Sequence, residues 1–518
     1  MSGMRRHGER FMFGFDGRAA TATLDDMIAG RRVSGIVLFS RNIRDAAQLT
    51  GLCAEMQAMR KRVSELPLLI ALDHEGGAVH RFTSGATRFP PQMAIAATGS
   101  AGLAERVGYC MGCELMALGV NMIFGPVLDV NSNKNNPVIG VRAFSDDPGT
   151  VASFGAAMIR GMERAGISSV AKHFPGLGFA EHDPHMELPA IGKDAGDLDR
   201  EDIFPFAGAV RAGVSGIMVG HARYPALSAR PASLSTAVIK GLLRQRLGFE
   251  GIVLTDDLEM GAMHMHRGVG NAAVKACGAG ADLLLLCHSS TEQINAMADL
   301  ANAISTSKLR SEQIKGNLKR LRDFKEMLRA RLSGPPPAPA EDGDALSREI
   351  AEGALTLVGD AESVLPLRLE SSQRLALVCP EMGPLIPIED GPSSLDPLAE
   401  IVRARHPNTA SISYSIIPSG QEIGEALRAI RDSSAAVVCT CNAHLYREQA
   451  RLVDEAAAAG VPAVFVALRN PYDAELYPAR AARIAAYGAD RQTLEAVGKA
   501  LFGDLVPRGK CPVALKLP

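Results

Sequence analysis

Residues 67–77 read PLLIALDHEGG, a continuous run of apolar residues that ends in ionisable side chains and two glycines. An unbroken apolar run, rather than an alternating one, is typical of a strand buried on both faces of a parallel sheet. Residues directly after such a strand lie at its carboxyl end, where parallel α/β folds build their sites. This segment therefore predicts a parallel α/β fold with Asp73 at its functional edge.

Apolar runs of this kind, each ending in polar residues, occur eight times before residue 333. The apolar runs begin at Phe11, Gly35, Pro67, Asn121, Ile167, Gly216, Gly251 and Ala281. Stretches of helical period follow them, and eight such units in one domain predict a (β/α)8 TIM-type barrel. Ionisable residues end the runs at Asp73, Asp129, Lys172, His173, His221, Asp256 and His288. Because the strand ends of a barrel converge on one face, this pattern favours an enzyme over a binding module.

Residues 333–344 read SGPPPAPAEDGD, and this proline-rich, polar composition predicts a linker. It divides the chain into a barrel domain, residues 1–332, and a second domain, residues 345–518. Strand-like runs beginning at Arg374, Ala435, Val461 and Ala482, with helical segments between them, predict an α/β layered sandwich domain. This second domain shows no comparable cluster of catalytic residue types, so we interpret it as a scaffold or lid. Whether it reaches the active site stays open at this point.

Composition excludes several classes of protein. The net charge of −2 gives no reason to expect nucleic acid or an anionic membrane as a partner. No segment approaches the ~20 apolar residues of a membrane span, and the N-terminal apolar run is broken at Asp16, too early for a signal peptide. The chain has no tryptophan, which excludes a sugar site built from stacked indoles, so any sugar is held mainly by hydrogen bonds. We expect a cytoplasmic protein that binds neither nucleic acid nor membrane.

Nine cysteines are scattered along the chain without a disulfide framework, which argues for a reducing compartment. Cys110 and Cys113 form a CxxC, but they lie in an apolar helical stretch with no second pair at zinc-ribbon spacing. We interpret them as packed thiols, and we expect no metal and no cofactor.

The first candidate for chemistry is LTDDLEM, residues 254–260, at the end of the seventh run. A carboxylate there can attack an anomeric carbon and form a covalent glycosyl-enzyme. Strand alternation is expected to direct one of Asp256 and Asp257 into the barrel mouth and the other away. The alternatives are a helix N-cap and, less favoured, a metal site formed by Asp256 with His264 and His266.

The second candidate is AKHFPGLGFAEHDPHMELP, residues 171–189. Lys172 and His173 can donate hydrogen bonds to sugar hydroxyls. Asp183 and His185 are two residues apart, so the carboxylate can fix the tautomer of the imidazole and raise its basicity, as a general acid and base requires. The alternative is a surface loop whose aspartate and histidine are merely solvated.

The third candidate is LDHEGGAVHRF, residues 72–82. Asp73 can accept hydrogen bonds from two sugar hydroxyls, and Arg81 can reinforce it. Its alternative role is to cap the next helix.

Together these segments resemble glycoside hydrolase family 3, and within it the β-N-acetylglucosaminidase branch. The resemblance extends over nearly the whole chain, through FGPVLDV at 124–130, ALRNPYD at 467–473 and LFGDLVPRGKCPVAL at 501–515. It implies that Asp256 is the nucleophile and that His185, assisted by Asp183, is the acid and base. It also implies sugar-binding roles for Asp73, Arg81, Arg142, Lys172, His173 and Met218.

The same resemblance implies a retaining exo-β-N-acetylglucosaminidase that acts on cell-wall muropeptides or related glycans without a cofactor. Several residues depart from the pattern of the branch: Leu177, Phe179, Ala180, Pro184, His74, Ala78, Glu259 and Cys511. Pro184 fixes φ between the two members of the dyad, and the aglycone stays open. A phosphorylase that uses phosphate as acceptor and a non-catalytic sugar-binding homologue are the two alternative functions.

Overall fold

The computed structural model describes residues 7–82, 85–264, 268–309, 311–359, 365–390 and 395–517. Its first part is a closed barrel of eight parallel strands, in which each strand pairs with the next and the eighth with the first. The strands are β1 (Phe11–Phe13), β2 (Gly35–Leu38), β3 (Leu69–Gly76), β4 (Met122–Phe124), β5 (Ser168–Phe174), β6 (Gly216–Val219), β7 (Ile252–Asp257) and β8 (Leu283–Leu286). The sequence-based prediction of a TIM-type barrel is confirmed.

Helical segments connect the barrel strands. They span Ala22–Asp25, Asp26–Gly30, Ala46–Lys61, Gln92–Ala97, Ala101–Ala117, Pro148–Arg164, Ala195–Asp197, Leu198–Asp202, Phe204–Arg211, Ala237–Arg246, Gly261–His264, Val269–Ala279, Ser290–Ser305 and Ser311–Arg331. The helix Pro148–Arg164 shows why such segments begin where they do. Its N-cap Asp147 accepts a hydrogen bond from the Thr150 amide, and Pro148 occupies the first turn, where no amide donor is needed.

Strand β4 is shorter than its apolar run predicts. The run continues to Val130, but the strand ends at Phe124, just before Gly125 and Pro126. Proline has no amide hydrogen to donate to a sheet, so the regular strand is interrupted there, although one parallel bridge between Val127 and Lys172 follows it. Asp129 therefore lies in the loop after the strand, where its side chain is fully buried.

The second domain is built on a six-stranded sheet. Its strands are β9 (Thr356–Leu357), β10 (Leu375–Pro380), β11 (Thr409–Tyr414), β12 (Ala435–Thr440), β13 (Ala463–Ala467) and β14 (Ala482–Ala485). The order is β9-β14-β13-β12-β10-β11, parallel except for the antiparallel edge pair β9 and β14. Helices span Gly343–Ala354, Asp396–Arg405, Gly420–Arg431, Arg447–Ala458 and Arg491–Phe502. The predicted α/β layered architecture is confirmed.

The two domains share hydrophobic cores. Leu346 and Ile350, which follow the proline-rich segment, pack into the core of the barrel. In return, Met93, Ala94 and Val141 of the barrel belong to the core of the second domain. The division of the chain at residues 333–344 stays a prediction, and the helix Gly343–Ala354 begins inside that segment.

All nine cysteines lie in the described ranges and are free thiols. Cys110 and Cys113 are buried on the helix Ala101–Ala117, and burial raises the pKa of both thiols. Among the helices of the described ranges, none combines the length and apolarity needed to cross a bilayer.

Candidate active site

A cavity of about 360 Å³ opens at the carboxyl ends of the barrel strands. Eight of the nine site residues predicted from the sequence line it: Asp73, Arg81, Arg142, Lys172, His173, His185, Met218 and Asp256. The ninth, Asp183, hydrogen-bonds His185. The structure thus brings all nine predicted site residues together.

Asp73 lines the cavity and lies between two cations. Its Oδ1 accepts a hydrogen bond from Lys172 Nζ at 2.6 Å, and its Oδ2 accepts one from Arg81 Nη2 at 2.9 Å. Burial alone would raise the pKa of the Asp73 carboxyl, but Lys172 and Arg81 outweigh it and hold the pKa well below its usual range. Asp73 is therefore a permanent carboxylate with both oxygens held in place, as binding of sugar hydroxyls requires.

Glu75 was missed by the sequence analysis. Its carboxylate receives a bidentate pair from Arg142, with Nε to Oε2 at 2.8 Å and Nη2 to Oε1 at 2.9 Å, and Lys172 Nζ lies 2.6 Å from Oε1. Burial opposes ionisation, yet Arg142 and Lys172 lower the pKa of Glu75 to about 2. The signal was present in the sequence, because residues two apart on a strand share one face and Glu75 follows Asp73 on β3. Glu75 orients Lys172 and Arg142 toward the cavity.

Both aspartates at the end of β7 line the cavity. The expectation that one of them points away is wrong, because the pairing of β7 with β8 shifts register between Leu254 and Asp257 and breaks strict alternation. Their partners nevertheless differ. Asp257 Oδ2 lies 3.3 Å from His288 Nε2 at the rim, whereas Asp256 is surrounded by the imidazoles of His173, His221 and His185.

This environment keeps Asp256 ionised. Burial raises the pKa of its carboxyl, but the neighbouring imidazoles of His173, His221 and His185 outweigh burial, and the net pKa lies below the ordinary value. An ionised, partly buried carboxylate in the lining of the cavity is the form that can act as a nucleophile.

Two of the surrounding imidazoles are fixed by hydrogen bonds. His173 Nδ1 lies 2.7 Å from Asp129 Oδ2, which is fully buried. His221 Nε2 donates to the Asp257 carbonyl at 2.9 Å, and its Nδ1 lies 2.8 Å from Ser233 Oγ. Burial lowers the pKa of His221, and the charge of Asp256 opposes that shift. The residues predicted at strand ends therefore include positioning groups as well as groups that line the cavity.

The dyad is formed as the sequence predicts. His185 Nδ1 lies 2.7 Å from Asp183 Oδ1, which leaves His185 Nε2 for a substrate. Burial raises the pKa of Asp183, but its hydrogen bond and charge interaction with His185 lower it to a net value below the ordinary one. Asp183 is thus an anion that holds the Nδ1–H tautomer.

The loop that carries the dyad is docked on the segment after β7. The amide of Gly261 donates to the His185 carbonyl at 3.1 Å, and the amide of Ala262 donates to the Pro184 carbonyl at 3.2 Å. These two backbone contacts place the imidazole of His185 in the same cavity as Asp256.

The second domain forms one wall of the cavity, a contribution that the sequence analysis left open. Pro387, Ile388, Glu389 and Asp390, which follow β10, line it. Glu389 forms a buried ion pair with Arg469, and its Oε2 accepts a hydrogen bond from the Leu385 amide at 2.7 Å. The question of whether the second domain reaches the active site is thereby answered, because one of its loops lines the cavity at the catalytic face.

The lining of the cavity also includes the aromatic rings of Phe39 and His288. The ring centroids of Phe39 and His288 are 5.4 Å apart, and the Arg41 guanidinium lies 4.4 Å from the centroid of Phe39. Within the described ranges, no group of three or more histidines, cysteines and acidic residues is placed to hold a metal ion. His266, which the metal interpretation requires, lies outside those ranges.

Cleavage at an anomeric centre requires a nucleophile and a proton donor around one bound sugar. The cavity at the carboxyl face of this barrel offers both, beside buried ions that can hold hydroxyls. The fold and the site together define a barrel-type glycoside hydrolase.

Comparison with known families agrees with this class. The sequence model of the family described as glycosyl hydrolase family 3 N terminal domain matches residues 11–323 of the chain. The chain belongs to glycosyl hydrolase family 3.

Individual proteins of known name and known structure are similar to this chain. The chain is 40% identical over 279 residues to a beta-hexosaminidase of Thiobacillus denitrificans, covering 52% of this chain and 76% of that protein. It is 35% identical over 399 residues to beta-hexosaminidase A of Pseudoalteromonas piscicida, covering 71% and 66%. Among solved structures, a family 3 beta-N-acetylglucosaminidase from Paenibacillus sp. FPU-7 matches with a TM-score of 0.92 and 33% identity over 99% of both chains.

Proposed function

We propose that this protein is a retaining exo-β-N-acetylglucosaminidase that hydrolyses terminal β-linked N-acetylglucosamine. The observation that carries the proposal is the shared cavity, in which Asp256 and the His185–Asp183 dyad surround the same space as the buried Asp73 cluster. The names of the relatives, two beta-hexosaminidases and a beta-N-acetylglucosaminidase, support an N-acetylated sugar as the substrate.

In the first step, Asp256 attacks C1 of the bound sugar and forms the covalent glycosyl-enzyme. Protonated His185 gives its Nε2 proton to the oxygen of the leaving group as the C1–O bond breaks. Asp183 stabilises the imidazolium before the transfer and keeps the Nδ1 proton in place afterwards.

In the second step, neutral His185 takes a proton from a water molecule at Nε2. The resulting hydroxide equivalent attacks C1, the bond to Asp256 breaks, and the sugar leaves with its original anomeric configuration. The lowered pKa of Asp256 supports both steps, since the group must be anionic as a nucleophile and stable as a leaving carboxylate.

The first experiment measures nitrophenol release from the nitrophenyl β-N-acetylglucosaminide and the β-glucoside. We expect turnover of the N-acetylated substrate by the native protein and a loss of about 10³-fold or more in Asp256→Asn, since the nucleophile is removed. Asp257→Asn is the matched control, a neighbouring aspartate on the same strand, and we expect it to retain activity within about tenfold.

Two further outcomes separate the alternative functions. Formation of a sugar 1-phosphate that depends on added phosphate would identify a phosphorylase. No turnover of either substrate, with or without phosphate, would identify a non-catalytic homologue. Proton NMR of the first-formed product tests retention, for which the β-anomer is expected.

A cell-wall origin of the substrate and a cytoplasmic location are part of the same proposal, supported by the resemblance of the motifs. Incubation with purified muropeptides and mass spectrometry of the products tests the first, with release of N-acetylglucosamine expected. Fractionation of the source cells tests the second.

A further inference from the structure

The end of β3 forms a hairpin with the short antiparallel strand Val79–His80, and the segment after β10 contacts this hairpin. The Asp390 amide donates to the Ala78 carbonyl at 3.1 Å, and Asp390 Oδ2 accepts a hydrogen bond from the His80 amide at 2.9 Å. Arg81 Nη1 donates to the Ile388 carbonyl at 2.8 Å. Both the backbone and the side chain of this segment are thus fixed on the hairpin that carries Arg81.

The side chain of Asp390 holds one end of the Arg81 guanidinium. Its Oδ2 and Oδ1 lie 3.0 and 3.1 Å from Arg81 Nη1, and the hydroxyl of Ser40 also contacts the carboxylate. The other end of the guanidinium, Nη2, donates to Asp73. Arg81 is therefore clamped between a carboxylate of each domain, and its side chain is only 4% exposed.

The contact between Asp390 and Arg81 adds a negative charge to a group of buried ion pairs. The ion-paired cluster that the barrel supplies contains three cations and two carboxylates: Arg81, Arg142, Lys172, Asp73 and Glu75. Asp390 adds the third carboxylate, from a position 309 residues away from Arg81. A buried ion without a partner is costly, and Asp390 gives the buried Arg81 a second anionic partner beside Asp73.

We propose that Asp390 is a positioning residue of the active site. It fixes the guanidinium of Arg81 so that Nη2 is directed at Asp73, and it thereby sets the orientation in which Asp73 meets the hydroxyls of the terminal sugar. The inference rests on the proposed function only in that Asp73 binds those hydroxyls. It assigns to the second domain a direct influence on sugar binding.

The test compares full-length Asp390→Asn and Asp390→Glu with the native protein in steady-state hydrolysis of the nitrophenyl β-N-acetylglucosaminide. We expect kcat/KM of Asp390→Asn to fall about ten- to hundredfold, mostly through KM, because a charge-assisted hydrogen bond that supports substrate binding is lost. The Glu variant retains the charge and should recover part of the loss.

Glu475→Gln is the matched control. Glu475 is also an acidic residue of the second domain paired with a barrel cation, Lys134 at 2.6 Å, but it lies outside the cavity lining. Its kinetic constants should equal those of the native protein. If Asp390→Asn changes them no more than Glu475→Gln does, the positioning role is refuted.

A crystal structure of Asp390→Asn provides a readout that does not depend on catalysis. We expect Arg81 Nη2 to leave its position 2.9 Å from Asp73 Oδ2. If that contact persists, the inference is overturned whatever the activity. If the native protein hydrolyses no N-acetylglucosaminide while Arg81 moves in the variant, the proposed function fails and the positioning of Arg81 by Asp390 stands.

Discussion

At the scale of single residues, the dyad supplies the proton donor and acceptor and Asp256 supplies the nucleophile. His185 is held by Asp183 through one ring nitrogen, while Asp256 is an anion among neighbouring imidazoles. A histidine that donates the proton carries no negative charge in either form, so it adds no charge repulsion to the Asp256 carboxylate.

The role of His185 predicts a dependence on the leaving group. In His185→Ala, hydrolysis of a substrate with a sugar leaving group should fall by about 10²–10⁴-fold, since a basic alkoxide must be protonated as it departs. A dinitrophenyl leaving group needs little protonation, so formation of the glycosyl-enzyme from that substrate should be much less affected. Pre-steady-state kinetics on the two substrates measure the difference. An equal loss of the first step for both would contradict the assignment of His185 as the acid.

Two buried histidines behind the site predict how stability depends on pH. His74 and His80 face each other with Nδ1 atoms 3.3 Å apart, and their Nε2 atoms are buried. Burial and then Arg81 lower the pKa of His74 to about 3, and burial lowers the pKa of His80, with His74, Arg88 and Arg81 adding to the effect. The folded protein therefore holds both rings neutral.

The sign of the dependence follows from these shifts. Below about pH 6.5 the unfolded chain binds protons at both histidines and the folded protein does not, so the free energy of unfolding falls by up to about 1.4 kcal/mol per pH unit for each ring. Urea unfolding between about pH 6.5 and pH 5 gives the slope of the free energy of unfolding against pH. In His74→Gln this slope should be smaller by the contribution of one proton, about 1.4 kcal/mol per pH unit. His182→Gln is the control, because the His182 side chain is 58% exposed. Equal slopes in the native protein and His74→Gln would show that His74 is protonated in the folded state.

At the scale of elements, the sequence predicted the barrel strands because each is a continuous apolar run that ends in charged residues. It did not predict β11, whose residues TASISY are small, polar and half-buried at the edge of the second sheet. The strand forms because its backbone pairs with β10 along its whole length. Such tertiary pairing overrides weak local preference and leaves no local signal.

The docking of the dyad loop predicts the effect of one methyl group. A β-carbon at Gly261 would lie 2.5 Å from the His185 carbonyl oxygen and 2.7 Å from that of Met186, both backbone atoms. Gly261→Ala should therefore displace the loop and lower kcat by about tenfold to a hundredfold, since a shift of about 1 Å in a catalytic group has that effect.

Gly241→Ala is the matched control, because a β-carbon at Gly241 meets no atom within 4 Å. We expect its kcat to be native. Both variants should show native circular dichroism, and a native kcat in Gly261→Ala would mean that the loop adjusts without moving His185.

At the scale of the whole molecule, the cavity is assembled from residues that are distant in the sequence. Glu75 could have been found from its spacing to Asp73 on one strand. Asp390 could not, since nothing local links it to Arg81 and the two meet only because the second domain packs on the barrel. Sequence patterns therefore identify the groups that act on the substrate more readily than the groups that hold them.

The shared cores predict that the two domains unfold as one unit. Hydrogen bonds also cross the interface, from the Val141 amide to Asn470 Oδ1 at 2.9 Å and from Asn131 Nδ2 to the Tyr472 hydroxyl at 2.9 Å. A domain separated from this interface exposes apolar side chains and leaves buried polar groups unpaired, each costing about 1–3 kcal/mol. Calorimetry of the native chain should show a single transition.

The proline-rich segment between the domains should contribute little to their unfolding as one unit. Residues 333–336 and 338–340 are exposed, so a protease site placed there can be cut without disturbing either core. We expect the cut protein to elute as one species, to keep its activity and to retain the single calorimetric transition within a few degrees. A chain ending at residue 340 should lack activity, because Arg81 loses its contact with Asp390. It should also aggregate, because the apolar side chains of Met93, Ala94 and Val141 are no longer buried against the second domain. Two separate transitions in the cut protein, or an active and monomeric barrel fragment, would show that the barrel builds its site without the second domain.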